Sequence, residues 1–330
     1  MSGPLMSILQ PQMIPVKTDR IGFIYPGQGA QHVGMGVDLL DQYPEARHNF
    51  DQADDFLNFS IKDLCFKGPA ELLNQDLNAQ LGVYIVSTII TDILFKNDIV
   101  PDASTGYSSG FYAAAYAAGC FDFLTGLSIV QKAGELLLEV GDTFEGGMAV
   151  IFGLPVEQIQ SISQTVGEVD IAIRNTSRQI VVSGLKTSVA KVMDEAMSAG
   201  ALDTAWLPVS TAYHSRFMAA AGRSLSKAID NAKLNAPKIP LYSYSTTKQI
   251  TNSDSLLKLM AMQLSHPVLW VDLIYQLRHN QLAFLVESGP GTMLSRSIRW
   301  IDRRIQILDT STVVGIQDIV QRHSHQSKSI

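Results

Sequence analysis

Residues 100–119 read VPDASTGYSSGFYAAAYAAG, and the five at the centre, GYSSG (106–110), decide how the chain is arranged around them. Glycines on both sides of Ser108 permit a tight turn with strained backbone at the serine, between a short strand and the Ala-rich helix that follows. The hydroxyl then projects above a sheet. The helix starting near Ser109 turns its first N–H groups toward the same space, and Gly119 suits its end. Taken alone, these residues also describe a packing segment of small side chains, so the pattern counts only in context.

Two other segments supply that context. IGFIYPG (21–27) is a short apolar run ended by Pro-Gly, as expected of a buried strand that turns at its C-terminal end. In the loop after it, YPGQGAQ (25–31), Gly27 and Gly29 let the backbone approach a ligand. A backbone N–H there could pair with that of Ser109 to hold a developing oxyanion; a plain glycine turn is the alternative. The loop lacks the GxxxxGK[ST] pattern of a phosphate loop. In STAYHSRFM (210–218), His214 stands between short polar residues. A serine needs a base to be nucleophilic at neutral pH, and histidine is the natural one. No obvious acid lies in a turn between Ser108 and His214, and a backbone carbonyl could orient the imidazole instead. A structural histidine is the alternative.

A chain of 330 residues with 46% apolar content can bury a sizeable core, in one large or two modest domains. The formal net charge of -6 gives no electrostatic reason to bind nucleic acid or an anionic membrane. Cys65 and Cys120 are too few and too far apart for a disulfide framework or a metal site, and read as buried free thiols. The N-terminal stretch has no apolar core behind a basic start, and no run of about 18 apolar residues occurs. The expectation is a soluble, cytoplasmic protein. His323 and His325 sit in a polar tail and are poor metal ligands, so no metal site is expected.

Up to about residue 143 the pattern is helical around the two short strands, including PAELLNQDLNAQLGVYIVSTIITDILFKNDI (69–99), read as two helices of which the second is apolar all round and buried. The character then changes. GGMAVIFGL (146–154), VDIAIRN (169–175) and QIVVSGL (179–185) are short strands separated by helical stretches. With ALDTAWLPVS (201–210) they give the order strand, helix, strand, strand, helix, strand of a small ferredoxin-like unit. The larger pattern resumes with IPLYSYST (239–246), two helices and the strand LAFLVESGPG (282–291). The fold class is α/β: a catalytic domain made of 20–143 and 211–315, an inserted ferredoxin-like domain at 144–210, and flexible tails at 1–19 and 316–330.

IYPGQGAQHVGMG, LCFKGPAELLN, AQLGVYIVS, GYSSGFYAAAYAAG, GGMAVIFGL, NTSRQIVVSG, AYHSRFM, HPVLW and VESGPGTML, in this order and spacing, resemble the malonyl-CoA:acyl carrier protein transacylase family and the acyltransferase domains of fatty-acid and polyketide synthases. The resemblance covers roughly 21–310. It implies an α/β-hydrolase-like large domain with an inserted ferredoxin-like domain and the active site between them. It makes Ser108 the acylated nucleophile, His214 the general base and acid, and the backbone N–H groups of Gln28 and Ser109 the oxyanion donors. The carbonyl that orients the histidine falls in HPVLW, at Leu269. The implied reaction is ping-pong, with no bound cofactor: acyl-CoA is the donor, and the phosphopantetheine thiol of an acyl carrier protein is the acceptor.

The sequence departs from the family at two places. The usual elbow is Gly-His-Ser-Leu-Gly-Glu, whereas here Tyr107, Ser109 and Phe111 replace the His, Leu and Glu; a tyrosine before the serine resembles the transacylase subunit of malonate decarboxylase. In IVQKAGELLLEV (129–140), Ala133 stands where malonyl-specific members carry an Arg that holds the free carboxylate. Malonyl stays the acyl group that the family implies, but an unpaired carboxylate in a closed pocket costs several kcal/mol, so the missing Arg opens a non-carboxylated acyl group as the other expectation. Tyr107, Phe111, Ala133 and Leu137 are read as the acyl pocket, and Arg178 and Arg216 as candidate substitutes for the missing cation. SRSIRWIDRRIQ (295–306) is basic, and Arg296, Arg299, Arg303 and Arg304 form a candidate docking face for an acidic carrier protein. A thioester hydrolase acting on acyl carrier proteins and a non-catalytic scaffold are the alternatives.

Overall fold

In the computed structural model, which describes residues 20–327 apart from 45, 210, 280–281 and 283, the strands are Ile21–Tyr25 (β1), Ala103–Gly106 (β2), Gly146–Phe152 (β3), Val169–Thr176 (β4), Gln179–Leu185 (β5), Asp203–Trp206 (β6), Leu241–Tyr242 (β7), Gln249–Ile250 (β8), Phe284–Glu287 (β9) and Gln306–Asp309 (β10). They form two sheets. The first has the order β10-β9-β1-β2-β7-β8 and is parallel except for the β7–β8 pair. All five residues of β1 and all four of β2 are buried, because both faces of a parallel sheet are covered and its central strands read as continuous apolar or small runs.

The helix Gly110–Ala117 packs on β1 and β2, and the helix Asp76–Lys96 packs on it and on Phe123–Gly141. By length and composition Asp76–Lys96 could cross a membrane, but 83% of its apolar window is buried inside the protein, so it is a core helix. Cys65 and Cys120 are buried and unpaired, and burial pushes both thiols up to about 12.

The second sheet has the order β4-β5-β3-β6, antiparallel throughout. The helices Val156–Val166 and Lys186–Ser198 pack on it through Ile159, Val189, Val192 and Ala196. Chain order and strand order together are those of a ferredoxin-like unit. Val268, outside both sheets, is tied to β4: its N–H donates to the carbonyl of Ala172 and its carbonyl accepts from Arg174 N, both at 2.8 Å.

Within 239–246 only Leu241–Tyr242 is strand, because Ser243 Oγ accepts from the N–H groups of Ser245 and Thr246 and turns the chain. One expectation is corrected here. The C-terminal segment is no flexible tail over 316–327: Val313–Ser327 is helical, with Ile316 and Ile319 buried. Val313, Ile316, Ile319 and Val320 make an apolar stripe at helical spacing within a polar composition. The other expected tail, 1–19, lies outside the described residues.

Candidate active site

β1 and β2 end side by side, with Tyr25 opposite Gly106, so the loops that follow them leave the sheet together. Tyr107 N–H donates to the carbonyl of Tyr25 at 2.9 Å. The close approach demands glycine: a Cβ on Gly106 would lie 2.1 Å from the carbonyl carbon of Gly110, and one on Gly27 would lie 2.5 Å from the carbonyl oxygen of Tyr107. Between them Ser108 takes a φ of 51°, left-handed backbone that a non-glycine residue adopts at a cost. The turn lifts its hydroxyl off the sheet at the start of the helix Gly110–Ala117.

His214 reaches the same point from the loop after β6, also in left-handed backbone, at φ 57°. Its N–H is anchored to the carbonyl of Leu264 at 2.9 Å. Nε2 lies 2.8 Å from Ser108 Oγ, and Nδ1 lies 3.0 Å from the carbonyl oxygen of His266. Burial pushes the imidazole down to about 4, against the opposing pull of backbone hydrogen bonds to His266 and Gln263. A neutral ring facing a carbonyl at Nδ1 carries its proton there, which leaves the Nε2 lone pair for the serine proton.

The orienting carbonyl is therefore that of His266, not Leu269. Leu269 uses its own carbonyl to accept Leu273 N–H at 2.9 Å, the first hydrogen bond of the helix Trp270–His279. The expected segment is right and the position three residues off.

Gln28 and Ser109 meet beside Ser108. The backbone N–H of Gln28 donates to Ser109 Oγ at 3.1 Å, a contact that a leucine in the same place could not make. The Gln28 side chain is held as well: Nε2 donates to Asp76, and Oε1 accepts from Gln80 Nε2 at 3.2 Å. Asp76 also accepts from the Tyr213 hydroxyl.

The cavity at Ser108 and His214 holds about 30 Å³ and is walled by Gln28, Gln80, Tyr112, Leu137, Tyr213 and Gln263 among others, with no Lys or Arg among the described residues that line it. Of the four side chains expected in the acyl pocket, the structure brings Leu137 to the wall and the other three elsewhere. The Tyr107 hydroxyl donates to Asn175 Oδ1 at 2.7 Å and its ring meets Trp270 edge-on. Phe111 is buried against Tyr244. Ala133 is fully buried one turn before Leu137, in the core rather than the lining.

Neither proposed cation reaches the cavity. Arg216 is exposed and engages Asp170 through its backbone N–H and its guanidinium, while Arg178 Nη1 donates to the carbonyl of Gly153 at 2.9 Å. The arginines expected to receive a carrier protein also lie elsewhere. β10 starts at Gln306 and runs parallel to β9 and β1, so Arg303 and Arg304, just before it, are at the end of the sheet opposite Ser108. Arg304 is paired with Asp302 at 2.9 Å. Arg296, Arg299 and Arg303 flank a separate groove with Trp300.

Sequence reasoning missed Asp76, Gln80, Tyr112, Tyr213 and Gln263. Tyr213 stands next to His214, and Gln80 is in the AQLGVYIVS segment; those were the available signals.

The model of the acyl transferase domain matches residues 22–323. The malonyl CoA-acyl carrier protein transacylase of Bacillus subtilis strain 168 is 31% identical over 306 residues, 92% of this chain and 96% of that one. The chain belongs to the malonyl-CoA:acyl carrier protein transacylase family. It is thus an acyltransferase by descent. Another relative of this family, the polyketide biosynthesis malonyl CoA-acyl carrier protein transacylase BaeC of Bacillus velezensis, is 35% identical over 288 residues, 85% of this chain and 96% of that one. Among solved transacylase structures, that of Coxiella burnetii superposes with a TM-score of 0.89 at 29% identity, over 92% of this chain and 98% of that one. A malonyl-transacylase solved in complex with a type II polyketide synthase acyl carrier protein gives 0.89 at 26% identity, over 92% and 100%.

Proposed function

We propose that this transacylase moves a short, uncharged acyl group from a CoA thioester to the phosphopantetheine thiol of an acyl carrier protein, through an ester on Ser108. The observation that carries the reading is the 2.8 Å contact between Ser108 Oγ and a neutral His214 whose other ring nitrogen is held by a carbonyl. Ser108 Oγ attacks the thioester carbonyl as its proton passes to Nε2. The oxyanion forms between the N–H groups of Gln28 and Ser109, displacing Ser109 Oγ from the Gln28 donor. Collapse breaks the C–S bond, and the CoA sulfur takes the proton from the imidazolium. The carrier thiol then attacks the ester, gives its proton to Nε2, and the hydroxyl of Ser108 is restored.

Three observations support the uncharged acyl group. Ala133 stands where the family holds a carboxylate with Arg, Arg178 and Arg216 are engaged elsewhere, and the lining carries no cation among the described residues. A carboxylate left unpaired there costs several kcal/mol. The test is intact-mass spectrometry after mixing the protein with acetyl-, propionyl-, butyryl- and malonyl-CoA. Adduct from the neutral donors, cleared by a holo-carrier protein, supports the reading. An adduct that clears equally fast in water alone identifies a hydrolase, and no adduct on folded protein overturns acyl transfer.

A further inference from the structure

Asp76 is the first residue of the helix Asp76–Lys96 and is buried, at 5% exposure. A carboxylate at that place is favoured by the helix N-terminus, and its two oxygens have separate tasks. One accepts from Gln28 Nε2, on the loop that carries an oxyanion donor; the other accepts from the Tyr213 hydroxyl, on the residue before His214. These loops follow β1 and β6, strands of different sheets. A carboxylate only accepts, so it fixes which way round the Gln28 amide lies, and Gln28 Oε1 is then turned to accept from Gln80.

We infer that Asp76 is a positioning residue for acyl transfer, which clamps the oxyanion loop to the histidine loop and so sets the distance between the stabiliser of the oxyanion and the base. The inference rests on the reading of Ser108 and His214 given above. Asp76 touches no reacting atom, and its effect passes through the Gln28 backbone and the turn at Tyr213–His214. A misplacement of about 1 Å at such groups costs on the order of 100-fold in rate.

The test follows the rate at which a fluorophosphonate labels Ser108, which depends on nucleophile, base and oxyanion donors but not on the identity of the acyl group. Asp76→Asn lets the Gln28 amide turn either way and should slow labelling by about 10- to 100-fold, with thermal melting showing folded protein. Tyr213→Phe, which removes one oxygen, should slow it by less. Asp76→Asn combined with Tyr213→Phe should be no slower than Asp76→Asn alone, since both break one clamp. Labelling of Asp76→Asn at the parental rate overturns the inference, as does a loss that only tracks the unfolded fraction, or strict additivity. A parent protein that reacts with the fluorophosphonate but takes no acyl group from any CoA thioester would instead overturn the transfer reaction and leave the clamp standing.

Discussion

Gly110 lies so close to Tyr25 that a Cβ on it would stand 2.2 Å from the tyrosine carbonyl oxygen and 2.6 Å from that of Pro26. Backbone meets backbone there, and no flexible side chain can move aside. Gly110→Ala therefore has to push β1 away from the elbow, at a cost of about 3 kcal/mol or more. A lowered Tm together with slower acylation is the expected result; an unchanged Tm would show that the elbow relaxes freely.

Ser108→Ala should form no adduct with any acyl-CoA, because among the described residues no other hydroxyl of the cavity wall bonds to His214 Nε2. His214→Ala should cut the rate of acyl-enzyme formation by roughly 1,000-fold or more. Both are read by intact mass on protein that melts like the parent.

The pH dependence follows from His214, pushed by burial down to about 4 from an ordinary 6.5. The base stays neutral far below pH 7, so single-turnover acylation should be flat from neutrality to about pH 5 and fall with a midpoint near 4. Stability should move in the same sense. The unfolded chain takes up the proton at the ordinary value and the folded chain only near 4, so stability is lost as pH falls through that window, on the order of 3 kcal/mol. An acylation midpoint near 6.5 would contradict the burial of the ring.

Ala133→Arg tests the reading of an uncharged acyl group. Ala133 has no exposed surface, and Gly134 beside it packs on Leu77, whose Cδ1 would be 2.5 Å from an added Cβ. The new side chain should lower Tm by overpacking and, by reaching past Leu137, raise the malonyl-to-acetyl acylation ratio. An unaltered ratio would show that this helix face does not address the acyl group.

Arg216→Ala should leave the same ratio untouched, since its guanidinium is committed to Asp170 outside the cavity. An exposed pair of this kind contributes under about 1 kcal/mol, so the melting curve should barely move. A changed ratio would return Arg216 to the list of substrate contacts.

The elbow and the histidine turn were legible in the sequence because special residues mark them: glycines where no Cβ fits, and a histidine among short polar residues. The two sheets were legible from β1, β3 and β5, whose apolar runs are short and bounded. The carbonyl of His266 was not, because every residue carries one, and only the path of the chain from Met262 to Val268 decides which faces the ring. Asp76 was hidden for a similar reason. In sequence it is an acid at a helix start, and its partners Gln28 and Tyr213 are 48 and 137 residues away. The arginines at 296–304 were misplaced because they follow a motif that touches the site, and the helix Met293–Ile301 then carries the chain to the far end of the sheet.

The short stretch 266–268 serves two masters. His266 holds the imidazole through its carbonyl, and two residues on, Val268 is tied on both sides to β4 of the small sheet. The imidazole is thus suspended from the small sheet by a strut two peptide units long. Whatever leans on that sheet from outside leans, through the strut, on the tilt of the ring above the serine.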